Sequence, residues 1–319
     1  MDWDEERLLY RIAKLYYDED YTQAQISKEL GIYRTTIGRK LKKARDKGIV
    51  KIEIQSSFNE QYLLEEKISN HFGMKEVIIL PSNIDQSNGN LEKAIGEASF
   101  KLLDRIIKDG DVIGLAWGNS LGSMVEQSAA LLPKKVDCVP LVGGPGGMSV
   151  DLHVNAITYK LADLLKGTPH FIDAAAIYKS KETTQEILNS DFMKEVLELW
   201  ERLNVAIVGI GTEISSSNMV WSGFLGESER KELIEHNVIG EICSRFFTIE
   251  GKPIVSSQSD RTIAVQLEKL KNLQYVVGIA YSIGKAESII GAMRGKFINI
   301  LVTNEETAIE IDRLIAIGK

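Results

Sequence analysis

The chain has 319 residues, 44% hydrophobic and 26% charged, an ordinary globular composition that excludes wholesale disorder, a collagen repeat and a disulfide-stapled miniprotein. At about 150 residues per domain, that length accommodates two domains. The net charge of −7 hides a split: residues 1–55 hold 12 bases against 10 acids, whereas the remainder holds 26 against 35, so a small basic head precedes a large acidic body.

No run approaches the roughly 18 apolar residues of a membrane span, and the first ten residues carry four acids where a secretory signal needs basic and then apolar residues. The expectation is a cytoplasmic protein with no membrane partner. Cys138 and Cys243 lie in apolar runs without CxxC spacing, which points to burial rather than to a metal or a disulfide. No cofactor is implied.

In chain order, Leu8, Leu9, Ile12, Ala13, Leu15 and Tyr16 recur at helical spacing and predict a first helix. Asp18-Glu19-Asp20 interrupts it, and Thr22 stands where an N-cap oxygen would open a short second helix over 23–30, ended by Gly31. A third helix is predicted over 35–47, with Ile37, Leu41 and Ala44 on its packing stripe and Arg34, Thr35, Thr36, Arg39, Lys40 and Lys43 elsewhere. Residues 33–51 hold eight bases and one acid, a density suited to a polyanion. Two short helices joined by a glycine turn, the second of them basic, make a helix-turn-helix, whose free face enters the major groove of duplex DNA. Thr or Arg side chains there read base edges, and Lys or Arg neutralise phosphate, which makes Thr22, Arg34, Thr35, Thr36, Arg39, Lys40 and Lys43 the candidate DNA-binding residues. The only aromatic in the basic segment is Tyr33, so RNA stacking platforms are not suggested. After Gly48, residues 49–54 alternate like a strand and suggest a wing.

A helical segment over 58–71 reads as a connector ending at Gly73. Beyond it a strand-then-helix rhythm sets in: 77–80 and 91–107, 112–117 and 121–132, 136–142 and 152–165. Further strands are predicted over 171–177, 205–210, 275–280 and 298–302. This is α/β patterning with a largely parallel sheet, in which ligands gather at the carboxyl ends of strands.

Glycines mark four such places. In 114–121, Gly118 permits close backbone approach, and Asn119 and Ser120 either cap the following helix or hold an anion; with no GK[ST] and no GxGxxG, nucleotide binding is unsupported. The others are 140–147, with Gly143 and Gly144 exposing backbone N–H groups, 208–212, containing Gly211, and 291–296, ending at Lys296. Each alone is equally a tight strand-to-helix turn.

The TxxQIxxxLGI pattern at 22–32, with Arg34, Thr36, Ile37, Arg39, Leu41, Ala44-Arg45 and Gly48-Ile49-Val50, resembles the N-terminal domain of SorC-type sugar-responsive regulators. Tyr33 and Thr35 replace the Ser and Pro that usually enter that family's recognition helix. The body resembles the same family through GLAWGNSL at 114–121, PLVGG at 140–144, VGIGT at 208–212, GEICSRFF at 240–247 and the run ending at Ala308. Thr248 follows the paired phenylalanines where the family often has Asp.

The resemblance implies the α/β fold class in two parts: an N-terminal winged helix-turn-helix domain over 1–55 and, after a connector over 56–75, a Rossmann-like effector and oligomerisation domain over 76–319 similar to sugar-phosphate isomerases. It further implies a homo-oligomer, dimer or tetramer, with operator DNA and a phosphorylated sugar as partners. Gly118, Asn119, Ser120 and Leu121 would hold the phosphate, Gly143, Gly144 and Gly211 would line the cleft, and Lys296 would stand near a second polar end of the ligand. Asp173 and Glu250 are candidates for accepting sugar hydroxyls, or equally for capping and solvent-facing positions. The competing reading, an isomerase or deaminase with a basic head, needs a positioned base. His71, His153, His170 and His236 are scattered, and no paired carboxylates flank the glycine loops.

Overall fold

The computed structural model describes residues 3–53, 59–82, 89–126, 133–144, 146, 149–212 and 226–319. The chain divides into two compact units, Met1–Asn59 and Glu60–Lys319.

The first unit is a helical trio: α1 (Trp3–Tyr17), α2 (Gln23–Leu30) and α3 (Arg34–Asp46). Ile12, Leu15, Ile26, Ile37 and Leu41 form its buried core. Thr22 caps α2 as expected, its hydroxyl accepting from the Gln25 N–H while the Gln25 side chain accepts from the Thr22 N–H at 2.9 Å. This reciprocal box satisfies N–H groups that the first helical turn leaves unpaired. Gly31 ends α2 at φ +67° and Gly48 follows α3 at φ +72°, both in the left-handed region. The strand expected over 49–54 is not formed by its described residues, 49–53; residue 54 lies outside the described set. Ile49 and Val50 turn back to pack on Leu9, Ala13 and Ala44, and both their N–H groups donate to Ala44 O. The small core claims side chains that a wing would have alternated.

The second unit begins in the connector helix α4 (Asn59–Phe72), close to its predicted span. Among the described residues seven parallel strands follow: β1 (Glu76–Leu80), β2 (Val112–Leu115), β3 (Asp137–Pro140), β4 (Thr168–Pro169), β5 (Val205–Gly209), β8 (Tyr275–Ile279) and β9 (Ile300–Asn304), with β6 (Gly240–Ile242) and β7 (Arg245–Phe247) forming a separate antiparallel hairpin. The order across the sheet is β1-β9-β8-β5-β2-β3-β4. β2 and β9 are buried along their whole length, so β2 and the first three residues of β9 read as continuous apolar runs rather than alternating ones, with Thr303 and Asn304 closing β9. Helices α5 (Asn90–Ile106), α6 (Asn119–Glu126) and α7 (Val154–Leu165) follow β1, β2 and β3, the last with an intervening single turn.

Most predicted strands stand within a few residues of their expected ends. Residues 127–132 of the helix expected over 121–132 lie outside the described set, as does Gly147. The strand expected over 171–177 is replaced by the two-residue β4. Residues 174–177 instead run as a loop whose backbone pairs with other loops: Gly144 N–H donates to Ala174 O, Ala176 N–H to Gly144 O, and Ile177 bridges Thr262. With backbone groups already committed in this way and three small alanines supplying little apolar surface, the segment adds nothing to the sheet.

Thr22→Ala removes the hydroxyl half of the capping box. It is expected to cost the head about 1 kcal/mol, seen as a lower denaturation midpoint for the helical signal; an unchanged midpoint would show that the box is idle.

Candidate functional site

From β2 the sheet grows one way, through β3 to β4; from β5 it grows the other way, through β8 to β9. Neighbouring β2 and β5 therefore bound a topological switch point, where the chains leaving their carboxyl ends part and open a crevice. A cavity of about 100 Å³ lies there, lined by residues 116–121 after β2, Gly209 at the end of β5 with Ile210 and Gly211 after it, and Glu241, Cys243 and Lys285. Five of the expected effector residues, Gly118, Asn119, Ser120, Leu121 and Gly211, are brought together in it.

The local geometry follows from the chain. Gly118 adopts φ +121°, where a side chain would be strained, and this lets the backbone turn abruptly from β2 into α6. Gly118 O accepts the first helical bond, from Gly122 N–H at 2.9 Å. The preceding N–H groups of α6 are those that a helix start leaves for a cap or a ligand, with the positive end of the helix dipole behind them. The Tyr281 hydroxyl hydrogen-bonds Ser120 and Glu92; burial, together with the Glu92 charge, pushes it up to about 12.

Gly211 pairs with Glu241 through both backbones, Gly211 N–H donating to Glu241 O at 2.9 Å. A Cβ at Gly211 would overlap the Glu241 carboxylate, so glycine is what admits that side chain. Glu241 Oε2 accepts from Ser244 N–H at 2.8 Å across the turn between β6 and β7. That turn consists of Cys243 and Ser244 at φ +52° and +60°, the backbone of a tight hairpin built here without glycine. Burial raises the Glu241 carboxyl, with the Ser244 N–H and the Lys285 charge opposing the rise. Burial lowers the Lys285 ammonium, and Glu241 opposes that shift. Glu241 and Lys285 thus line one cleft beside a seat for an anion, each favouring the charged form of the other.

The remaining expected residues are not part of this lining. Gly143 N–H donates to Ile263 O and Gly144 N–H to Ala174 O, so the supposed free donors are spent on neighbouring loops. A Cβ on Gly144 would meet His153 Nε2 at 2.7 Å, and close packing accounts for the residue. Asp173 is exposed on the loop that replaced the expected strand. Lys296 is exposed just past the helix Ala286–Arg294, and the turn holding Glu250 and Gly251 packs on Gly295 at that same helix end. Lys285 occupies the opposite end of the helix, facing the cleft. The rule that strand carboxyl ends gather ligands points to Lys285, six residues past β8 and at the start of the next helix, whereas the glycines of 291–295 mark the end of that helix away from this lining. Glu241 carries no local signal, since only the hairpin delivers it.

In the head, Arg34, Thr35 and Arg39 are exposed on α3, and Thr36 and Lys40 are half-buried. Tyr33, at the N-cap, makes no side-chain cap bond, as its replacement of a family serine implies. Arg39 Nη2 donates to Thr36 Oγ1 at 3.4 Å. Lys43 differs from expectation: its ammonium is hydrogen-bonded to Glu5 of α1, which holds the Glu5 carboxyl below the usual range. Thr22 spends its hydroxyl on the cap. Gly38, in the middle of α3, faces Gln23 of α2; a Cβ there would stand 3.4 Å from Gln23 Oε1, an ordinary contact.

Residues 56–311 match the family described as a putative sugar-binding domain. The chain is 40% identical over 315 residues to the sorbitol operon regulator of Klebsiella pneumoniae, covering 96% of this chain and 97% of that one. It is 27% identical to the deoxyribonucleoside regulator of Bacillus subtilis, over 97% and 98% of the two chains. The crystal structure of the full-length Klebsiella regulator superposes with a TM-score of 0.73, covering 96% of this chain and 98% of that one. Among the described residues no helix is long and apolar enough to cross a membrane, and no group of three or more His, Cys, Asp or Glu is placed to hold a metal ion.

Lys285→Met tests the charge couple. Near pH 5 the raised Glu241 carboxyl takes up a proton at little cost, and the substitution also removes a desolvated cation. By pH 8 the carboxyl is ionised in the unfolded chain and lacks a counter-charge in the folded one. The loss of thermal stability relative to the parent protein is therefore expected to grow from pH 5 to pH 8; a difference that is flat or shrinks over that interval would disprove the pairing.

Proposed function

The chain belongs to the SorC family of sugar-binding transcriptional regulators, and from that premise we propose that it is a cytoplasmic homo-oligomeric regulator, dimer or tetramer, whose operator binding is set by a phosphorylated sugar held at the switch point of its sheet. The observation that carries this reading is the convergence of the α6 start, Ser120, Gly211 and the Glu241–Lys285 couple on one cleft. A phosphate suits the α6 start, where backbone N–H groups, the Ser120 hydroxyl and the helix dipole all favour an anion. Glu241 and Lys285 offer an acceptor and a donor to the hydroxyl-bearing remainder, so charge at one end and hydrogen bonding at the other would orient the ligand.

Binding at the cleft changes operator affinity only if the ligand prefers one arrangement of the protein over another. On the DNA side, Arg34, Thr35, Thr36, Arg39 and Lys40 supply the α3 face that meets the major groove, while Lys43 braces α3 against α1. Thr22 acts through the placement of α2. The cleft is read as a binding site rather than a catalytic one because its described lining holds a single carboxylate, Glu241, with one oxygen spent on the hairpin turn, and no histidine. Phosphorylated sugars are accordingly expected to be bound without being turned over.

Titration calorimetry with a panel of phosphorylated hexitols and aldoses is expected to give one tight ligand, and Ser120→Asp, which sets a carboxylate in the anion seat, is expected to abolish its binding in a folded protein. Unaltered binding would place the phosphate elsewhere. Arg39→Ala is expected to weaken operator binding and to lower the slope of log K against log salt by about 1. Lys43→Ala is expected to change that slope less; equal slopes would show that Lys43 reaches phosphate too.

A further inference from the structure

The most exposed large apolar side chain among the described residues is a ring at the entrance to α3, Tyr33, at 85%. A lone exposed ring needs no explanation by itself, but this one is presented by a rigid turn. Ile32, just before it, packs on the head core; its N–H donates to Ser27 O at 3.2 Å and its carbonyl accepts from the Ser27 hydroxyl at 2.6 Å. The Tyr33 carbonyl in turn accepts from Thr36 N–H at 2.8 Å and Ile37 N–H at 3.1 Å, the first bonds of the helix. With Ile32 drawn inward and the helix start fixed, the backbone at Tyr33 is held while its side chain stays outside, making no cap bond. Arg34 and Thr35, both exposed, follow directly. The N-terminal residues of the second helix in a helix-turn-helix are the ones that meet base edges.

Resting on the reading of α3 as the groove-facing helix, we propose that Tyr33 is a specificity-determining residue whose ring packs on the 5-methyl group of one thymine in each operator half-site. That methyl is the apolar feature of the major groove; the other features of its base edges are hydrogen-bond donors and acceptors. A ring that its own chain leaves uncovered gains by covering an apolar group, and it gives up no internal contact in doing so. Phosphate has less need of it. Arg34, Arg39 and Lys40 on the same helix already offer cations, and a neutral hydroxyl releases no counterion from the duplex. A serine here, the residue usual in the family, would cap α3 and fall short of the methyl. Tyrosine thus forgoes a helix cap and gains a contact that distinguishes one base.

The test uses the full-length protein and a duplex that it enriches from a random-sequence pool, remade with uracil in place of thymine at one position at a time. The parent protein is expected to lose affinity about fourfold at one thymine per half-site, the effect of withdrawing one buried methyl group. Tyr33→Ala is expected to bind the thymine duplex more weakly and to be indifferent to uracil at that position alone, with its responses elsewhere and its helical signal unchanged. Tyr33→Phe, which keeps the ring, is expected to keep the discrimination. Three outcomes would each overturn the proposal: uracil tolerated at every position, discrimination that survives in Tyr33→Ala, or a Phe variant as weak as the Ala variant, which would put the hydroxyl on a phosphate instead. A protein that enriches no duplex would overturn the DNA-binding reading itself, and the proposal with it.

Discussion

The body of this protein depends on one topological constraint, the parting of two adjacent parallel strands. Parallel neighbours share hydrogen bonds along their length, but β2 hands its chain toward β3 while β5 hands its chain toward β8. No continuous backbone can close the gap between their carboxyl ends. The gap is filled from three directions, by the α6 start, by the hairpin of β6 and β7, and by the segment after β8 that carries Lys285. Each arrives with a different chemistry: dipolar N–H groups, a carboxylate and an ammonium. The site is thus assembled by packing requirements of the sheet rather than by any contiguous motif.

The head solves a different problem with little material. Its core is small, so local devices carry much of the specification: the reciprocal Thr22–Gln25 cap and the left-handed glycines after α2 and α3. The basic residues of α3 are divided between two tasks. Arg34 and Arg39 stay exposed, whereas Lys43 and Lys47 converge on Glu5 and tie α3 to α1. That division explains how so positively charged a helix stays docked on its own domain.

Much of this was legible in residue order because short-range physics governs it. The Thr22 cap, the stop at Gly31, the strand-helix rhythm and the glycine turn at Gly118 each follow from a few neighbouring residues. What escaped depends on distant partners. The alternation over 49–54 looked like a strand, yet the head core claimed Ile49 and Val50. The apolar run at 171–177 looked like another, yet its backbone was committed to the loops at 143–144 and 262–263. Gly143 and Gly144 looked like donors because nothing local reveals that Ile263 and Ala174 already accept from them. Lys296 and Lys285 bracket one helix, and only its direction across the sheet decides which end meets the cleft.

The two left-handed residues between β6 and β7 have a mechanical consequence. Cys243 and Ser244 each hold a conformation that costs a non-glycine residue about 1 kcal/mol or more. A glycine at either place would relax the chain but also widen the range of angles the loop explores, loosening the N–H that anchors Glu241. The fold therefore tolerates tension in order to keep one carboxylate still, so the shape of that corner is fixed by its backbone before anything enters the cleft.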